Sequence, residues 1–220
     1  MSIESDKTKL IIIESMYLKL VQDNKKFLNN KLFLEFGVFE GRSLSQFHKL
    51  YEDLDITSQF YGFDSWRGLP EEIVDKNSPW SKGDFDSRGK KPIDQLHCHA
   101  GKDKDNIHFV DGYFDESLTD ELGKKFSKQK AGIVHIDCDT YSSTKTVHQW
   151  LTENKLLRKG SLVVYDDWGG YIQAQVPEYT MGESMAHKEW CEEYNLQFEE
   201  VGEYVADPEY YIIKVFRYLG

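Results

Sequence analysis

Residues 32–43 read LFLEFGVFEGRS: an apolar run carrying one acid, a glycine, three residues, a second glycine, then Arg42 and Ser43. An apolar run of that length ending at a glycine reads as a buried strand. Gly37 permits a tight turn, and Gly41 lets a helix begin close to the sheet. The dinucleotide fingerprint G-x-G-x-x-G needs its second glycine so that backbone can approach a pyrophosphate. Phe39 stands at that place. The turn therefore argues against a phosphate grip and remains compatible with a phosphate-free nucleoside such as S-adenosyl-L-methionine. Glu35, Phe36, Gly37, Gly41 and Ser43 are the candidate contacts at its amino-acid end.

Working outward, further apolar runs recur at 59–63 (QFYGF), 107–110 (IHFV), 132–136 (GIVHI) and 161–165 (SLVVY). Between them Leu44, Phe47, His48 and Tyr51 follow a helical period, as do Leu118, Leu122 and Phe126, and then Val147, Trp150 and Leu151. Strand alternating with helix predicts a mostly parallel α/β sheet covered on both faces. Residues 6–28 carry Leu10, Ile13, Tyr17, Leu20 and Val21 at helical steps, which predicts an amphipathic helix over one edge of the sheet. After a helix at 183–194, the runs 196–204 and 210–216 flank VADPE and predict an antiparallel hairpin that finishes the sheet. Residues 66–106 hold Gly, Pro and many charges with little periodicity, as a lid-like binding excursion does. No repeat or composition break divides the chain, so 1–220 reads as one domain with an N-terminal helical segment at 1–30.

The chain has 220 residues, 40% hydrophobic and 14% aromatic, enough for one sizeable core. Its 27 Lys+Arg against 38 Asp+Glu leave a formal charge of −11. That repels a phosphate backbone and excludes a general nucleic-acid binder. Cys98, Cys138 and Cys191 fit neither a disulfide framework nor a CxxC zinc site, which points to a reducing compartment. No stretch approaches the roughly 18 apolar residues of a membrane span. A cytoplasmic protein acting on a small molecule is expected, with a homodimer as the commonest symmetric assembly.

Chemistry gathers at the strand tips. The second strand delivers Asp64 and Ser65 beside the first turn, where an acid can accept hydrogen bonds from both ribose hydroxyls. The third ends in Asp111 and Gly112, facing the adenine edge. The fourth runs into Asp137, Cys138 and Asp139, the fifth into Asp166 and Asp167. If these two strands are neighbours, Asp137, Asp166 and Asp167 converge in one crevice and repel one another unless a cation sits among them. Oxygen ligands without a His-Cys set suggest Mg²⁺, or Mn²⁺ or Ca²⁺, rather than zinc. Such a cation polarises an acceptor hydroxyl, and Asp139 takes its proton. His187 is an alternative base, since imidazole titrates near neutrality. His135 reads as a core residue, and Trp66, Trp80 and Trp168 flank the site.

LEFGVFEGRSL, YGFDSWRGLPE, KGDFD, DGYFDESL, HIDCDTYSST and VVYDDWGG together resemble the macrocin O-methyltransferase (TylF-type) family of class I S-adenosylmethionine-dependent methyltransferases. The resemblance spans about residues 32–170. It implies a Rossmann-like, seven-stranded sheet with a reversed last strand, a bound methyl donor that Asp137 also contacts, a divalent cation, and transfer to a hydroxyl, typically on a natural-product sugar. Carried onto this chain, the metal ligands fall on Asp137, Asp166 and Asp167, the base on Asp139 and the ribose contact on Asp64. Catechol-type methyltransferases are similar at the metal site but carry a lysine base soon after the first aspartate, where this chain has Asp139 and Thr140. A phenolic acceptor and a non-catalytic nucleoside-binding protein on the same fold stay open as alternatives. The segment after Asp167 departs from the family pattern, which leaves the acceptor undefined.

Overall fold

The computed structural model describes residues 3–92, 105–126, 128–168, 178–207 and 211–220. In chain order the elements are α1 (Ile3–Leu28), β1 (Lys31–Phe36), α2 (Arg42–Asp53), β2 (Ser58–Asp64), β3 (Ile107–Asp111), α3 (Phe114–Ser117), α4 (Asp120–Phe126), β4 (Ala131–Ile136), α5 (Tyr141–Glu153), β5 (Leu162–Tyr165), α6 (Gly182–Tyr194), β6 (Phe198–Asp207) and β7 (Tyr211–Tyr218). Seven strands form one sheet in the order β3-β2-β1-β4-β5-β7-β6. The first five are mutually parallel, and β7 runs antiparallel to both β5 and β6.

The central strands β4 and β5 are buried along their whole length, which is why they read as unbroken apolar runs. Side chains alternate between the two faces. Phe33, Ile133, Val164 and Val215 pack with Tyr17, Val21, Leu44 and Phe47 from α1 and α2. Leu34, Val134, Val163 and Phe216 pack on the other face with Val147, Trp150 and Trp190 from α5 and α6. The order in which strands are laid down reverses between β1 and β4, which are parallel neighbours, and the crevice at such a switch point is where open α/β sheets take their ligands.

Three local expectations are corrected. The first helix covers a face of the sheet, not an edge, because Tyr17, Leu20 and Val21 are buried against the core of β1 and β4. The period at Leu118, Leu122 and Phe126 does not form one helix: Leu118 caps the end of α3, and Leu122 and Phe126 lie on α4. Thr119 breaks the two helices apart by accepting the Leu122 amide at 3.2 Å. The hairpin strands run to Asp207 and Tyr218, and β6 carries a register shift between Glu200 and Gly202. The residues between the two strands, 208–210, lie outside the described residues, as do 93–104 of the expected excursion, Cys98 among them, and Gly169 and Gly170. Among the described residues no helix is long and apolar enough to cross a membrane.

Candidate active site

At the carboxyl edge of the parallel strands lies a cleft of about 570 Å³, bounded by the tips of β1, β2, β4 and β5 and by the segment after β2. Gly37 sits in the left-handed region at φ 87°, so close to the β4 tip that a Cβ would overlap the Asp137 carbonyl oxygen. A glycine is required there. Asp64 closes the turn: Oδ2 accepts the amides of Val38 and Phe39, both at 2.8 Å, and Oδ1 accepts that of Trp66 at 2.6 Å. The amides that would face a pyrophosphate in a dinucleotide fold are therefore already used. Phe39 adopts φ 46° and turns its ring to the cleft.

Of the expected donor contacts, Gly37, Asp64, Ser65, Gly112 and Asp137 line the cleft, whereas Glu35, Phe36, Gly41, Ser43 and Asp111 do not. Each of these has another occupation. The Phe36 ring stacks on Phe63 at 4.6 Å in the core. Gly41 is the left-handed residue at the start of α2. Ser43 donates to Glu35 at 2.8 Å, beneath the turn, and Glu35 is fully buried. Asp111 turns outward to Lys91 at 3.0 Å.

The acids come together as β4 and β5 pair. Asp137, Asp139, Asp166 and Asp167 all line the cleft. One oxygen from each of Asp137, Asp139 and Asp167 lies within 4.8 Å of the others, a group able to hold a metal ion. Alternation along β5 puts Asp166 on the α1 face, where Oδ1 accepts from Tyr17 at 3.4 Å and lies 3.6 Å from His135 Nε2. Burial, then repulsion from Asp166, Asp139 and Asp167, pushes the Asp137 carboxyl well up. Burial and repulsion from Asp166 also push Asp167 up to about 7, although its hydrogen bond with Asp139 works the other way. Without a cation the cluster holds protons that isolated carboxyls would release. The donors are all oxygen, which suits Mg²⁺, Mn²⁺ or Ca²⁺.

That electrostatic arrangement has a testable sign. A carboxyl raised from 3.8 to about 7 on folding binds more protons in the folded chain between those values. Its contribution to stability is full below about pH 4 and is lost as pH rises to about 7. Metal-free wild type is therefore expected to lose more thermal stability than Asp167→Asn between pH 4 and pH 7, with saturating Mg²⁺ narrowing the gap. Melting curves across that interval check it, and identical pH profiles would contradict it.

Glu183 is the important residue that the sequence reading passed over. From the first turn of α6 it is buried, and its carboxyl bridges both tips, accepting the Cys138 amide at 3.1 Å and the Asp167 amide at 3.2 Å. It thereby fixes the spacing of the two acid-bearing turns. His187, expected as an alternative base, is instead buried in an aromatic cluster, stacked on Phe216 at 4.3 Å with Nδ1 at 2.9 Å from the Tyr165 hydroxyl. Burial and Lys214 push it down to about 3, and it does not line the cleft. The helical period placed it on the inward face of α6, which is why it serves the core.

The described part of the excursion, residues 66–92, supplies one wall. Glu72 accepts the Ser142 amide at 2.7 Å and its hydroxyl at 2.8 Å, and Asp75 accepts the Gly182 amide at 2.8 Å. Two acids thus tie this wall to the N-termini of α5 and α6, where negative charge is favoured. Ile73, Val74, Trp80 and Phe85 face the cleft from it. Phe85 meets Phe39 at 5.7 Å and Trp80 at 5.1 Å. Trp66 and Trp168 are buried in the core and only Trp80, of these three, lines the cleft.

A seven-stranded sheet of this order, with its reversed strand and its cleft at the switch point, defines the Rossmann-like class I methyltransferase fold. A family model described as a methyltransferase domain matches residues 34–168, and the chain belongs to that family of S-adenosylmethionine-dependent enzymes. No curated protein matches the chain at a significant level. Among solved structures it is similar to CalS11, a calicheamicin methyltransferase, with 20% identity, a TM-score of 0.63 and coverage of 99% of this chain and 93% of that one. It is also similar to the O-methyltransferase NovP, with 16% identity, a TM-score of 0.65 and coverage of 96% and 81%. A methyltransferase from Podospora anserina, PaMTH1, solved with S-adenosylhomocysteine, aligns at 9% identity with a TM-score of 0.54 over 100% and 89% of the two chains.

Proposed function

We propose that the protein is a divalent-metal-assisted O-methyltransferase of the macrocin (TylF) type, acting on a hydroxyl of a small molecule, a natural-product sugar. The observation that carries this is the gathering of four carboxylates from two adjoining strand tips in the cleft of a methyltransferase domain. CalS11, solved also as a TDP-rhamnose 3′-O-methyltransferase, and NovP are O-methyltransferases on the same fold, which supports the acceptor class.

In this reading the donor lies over the Gly37 turn, with its ribose toward Asp64 and Ser65 and its base toward Gly112. Asp64 spends three of roughly four acceptor sites on backbone amides, leaving about one for a ribose hydroxyl. As the family resemblance implies, Asp137, Asp166 and Asp167 would hold the cation, although in this structure Asp139 rather than Asp166 lies with the other two; the cation when bound lowers the pKa of the acceptor hydroxyl. Asp139 stands within the same cluster, where burial and Asp167 push its carboxyl well up; a cation bound beside it would lower it again and let it take the hydroxyl proton. The acceptor oxygen then forms its bond to the methyl carbon as the carbon–sulfur bond breaks, and the sulfonium leaves as a neutral thioether. An acidic cleft suits a cationic donor and releases the neutral product.

A panel of glycosides, free sugars and phenols incubated with labelled S-adenosylmethionine, with and without EDTA, tests the proposal. Transfer to a sugar hydroxyl that EDTA removes and Mg²⁺ restores is the expected result. Transfer only to phenols would favour the catechol-type alternative, and EDTA-resistant transfer would refute the metal.

A further inference from the structure

Behind Asp166, on the face covered by α1 and α2, a line of buried polar side chains runs into the sheet. The Tyr17 hydroxyl donates to Asp166 Oδ1 at 3.4 Å and sits 3.2 Å from His135 Nε2. His135 Nε2 is itself 3.6 Å from that carboxylate oxygen. On the opposite side of the ring, Nδ1 faces Glu35 Oε2 at 3.7 Å, while Glu35 Oε1 accepts from Ser43 at 2.8 Å. Glu35 and His135 are 0% exposed and Tyr17 is 1% exposed. The parallel register sets Glu35 directly beside His135.

Tyr17, His135, Glu35 and Ser43 do not line the cleft, so contact with a ligand does not explain them. Their neighbours on the same face, Phe33, Ile133 and Val164, are apolar, and burying polar groups among them is costly unless the network fixes something. The one member that reaches the cleft is Asp166. Groups behind a metal-binding carboxylate orient it and tune its affinity.

We infer that Tyr17, His135 and Glu35 are positioning residues for Asp166, holding its carboxylate at its place in the cation site and so making the N-terminal helix part of the active site. This rests on the assignment of Asp166 as a cation ligand. Tyr17 reaches it from α1, far away in sequence, and its ring is independently held against Phe47 at 4.2 Å. Tyr17→Phe therefore removes the hydroxyl and keeps the packing.

The test is Mn²⁺ affinity, read from the free-ion electron paramagnetic resonance signal in the full-length, metal-free protein with S-adenosylhomocysteine present. Wild type, Tyr17→Phe, Glu35→Gln and Asp166→Asn are compared, with thermal midpoints and S-adenosylhomocysteine affinity measured alongside. Tyr17→Phe and Glu35→Gln are expected to weaken Mn²⁺ by about tenfold, with nucleoside affinity unchanged, and Asp166→Asn to weaken it further. Wild-type Mn²⁺ affinity in both Tyr17→Phe and Glu35→Gln, with Asp166→Asn impaired, would overturn the positioning role and leave the ligand assignment standing. Lowered thermal midpoints without a change in Mn²⁺ affinity would make the network merely structural. Wild-type affinity in Asp166→Asn would remove the ligand assignment itself, and the inference with it.

Discussion

Asp137→Asn is expected to cut methyl transfer by about 10³-fold or more while leaving the folded protein no less stable. The activity loss follows from the proposed mechanism: Asp137 is common to every grouping of the acids that faces the cleft, and a cation polarising the acceptor is worth several kcal/mol. Stability moves the other way because Asp137 is crowded by Asp166, Asp139 and Asp167 in a desolvated cleft. Asparagine cannot ionise there, so the substitution removes a group that these neighbours force to hold its proton and adds no repulsion of its own. Donor affinity falls only modestly, since Asp137 is one donor contact among several and the Gly37 turn and Asp64 are untouched. Steady-state turnover, nucleoside titration and melting of one preparation check all three. Donor binding lost together with turnover would contradict the division of the cleft into donor and cation ends.

Gly37→Ala is expected to destabilise the protein by about 3 kcal/mol or more and to abolish donor binding. Two costs add at this residue. The backbone sits at φ 87°, which alanine resists, and the new Cβ would overlap the Asp137 carbonyl oxygen. That carbonyl belongs to the β4 tip, whose Asp137 amide donates to Phe36 at 2.9 Å, so the clash pushes apart the two strands that frame the cleft. Denaturant unfolding and calorimetric titration with S-adenosylhomocysteine measure the two effects. A loss below about 1 kcal/mol would mean that the turn can shift without moving the acids.

The sheet was legible because its strands are short apolar runs between helical periods, and the acids were legible because strand ends face ligands in such folds. Asp137, Asp139, Asp166 and Asp167 do share one cleft. What escaped are residues whose role depends on pairing across the chain. Glu183 looks like an ordinary first-turn acid until α6 is packed against both tips. Glu72 and Asp75 lie in an aperiodic stretch, and their partners are helix N-termini 70 and 107 residues away. Glu35 precedes the glycine turn, and its place in the sequence alone points it toward the ligand. Period-2 alternation sends it to the α1 face instead, beside His135. His187 illustrates the converse: a titratable residue near a suspected site that helical phase directs into aromatic packing.

The most direct measurement is an anomalous difference map from crystals of the protein with Mn²⁺ and S-adenosylhomocysteine. A single peak bonded to carboxylates of Asp137 and Asp167, with the nucleoside over Gly37, is the predicted result. No peak in the cleft at saturating Mn²⁺, or a peak remote from both tips, would contradict a cation-assisted transfer.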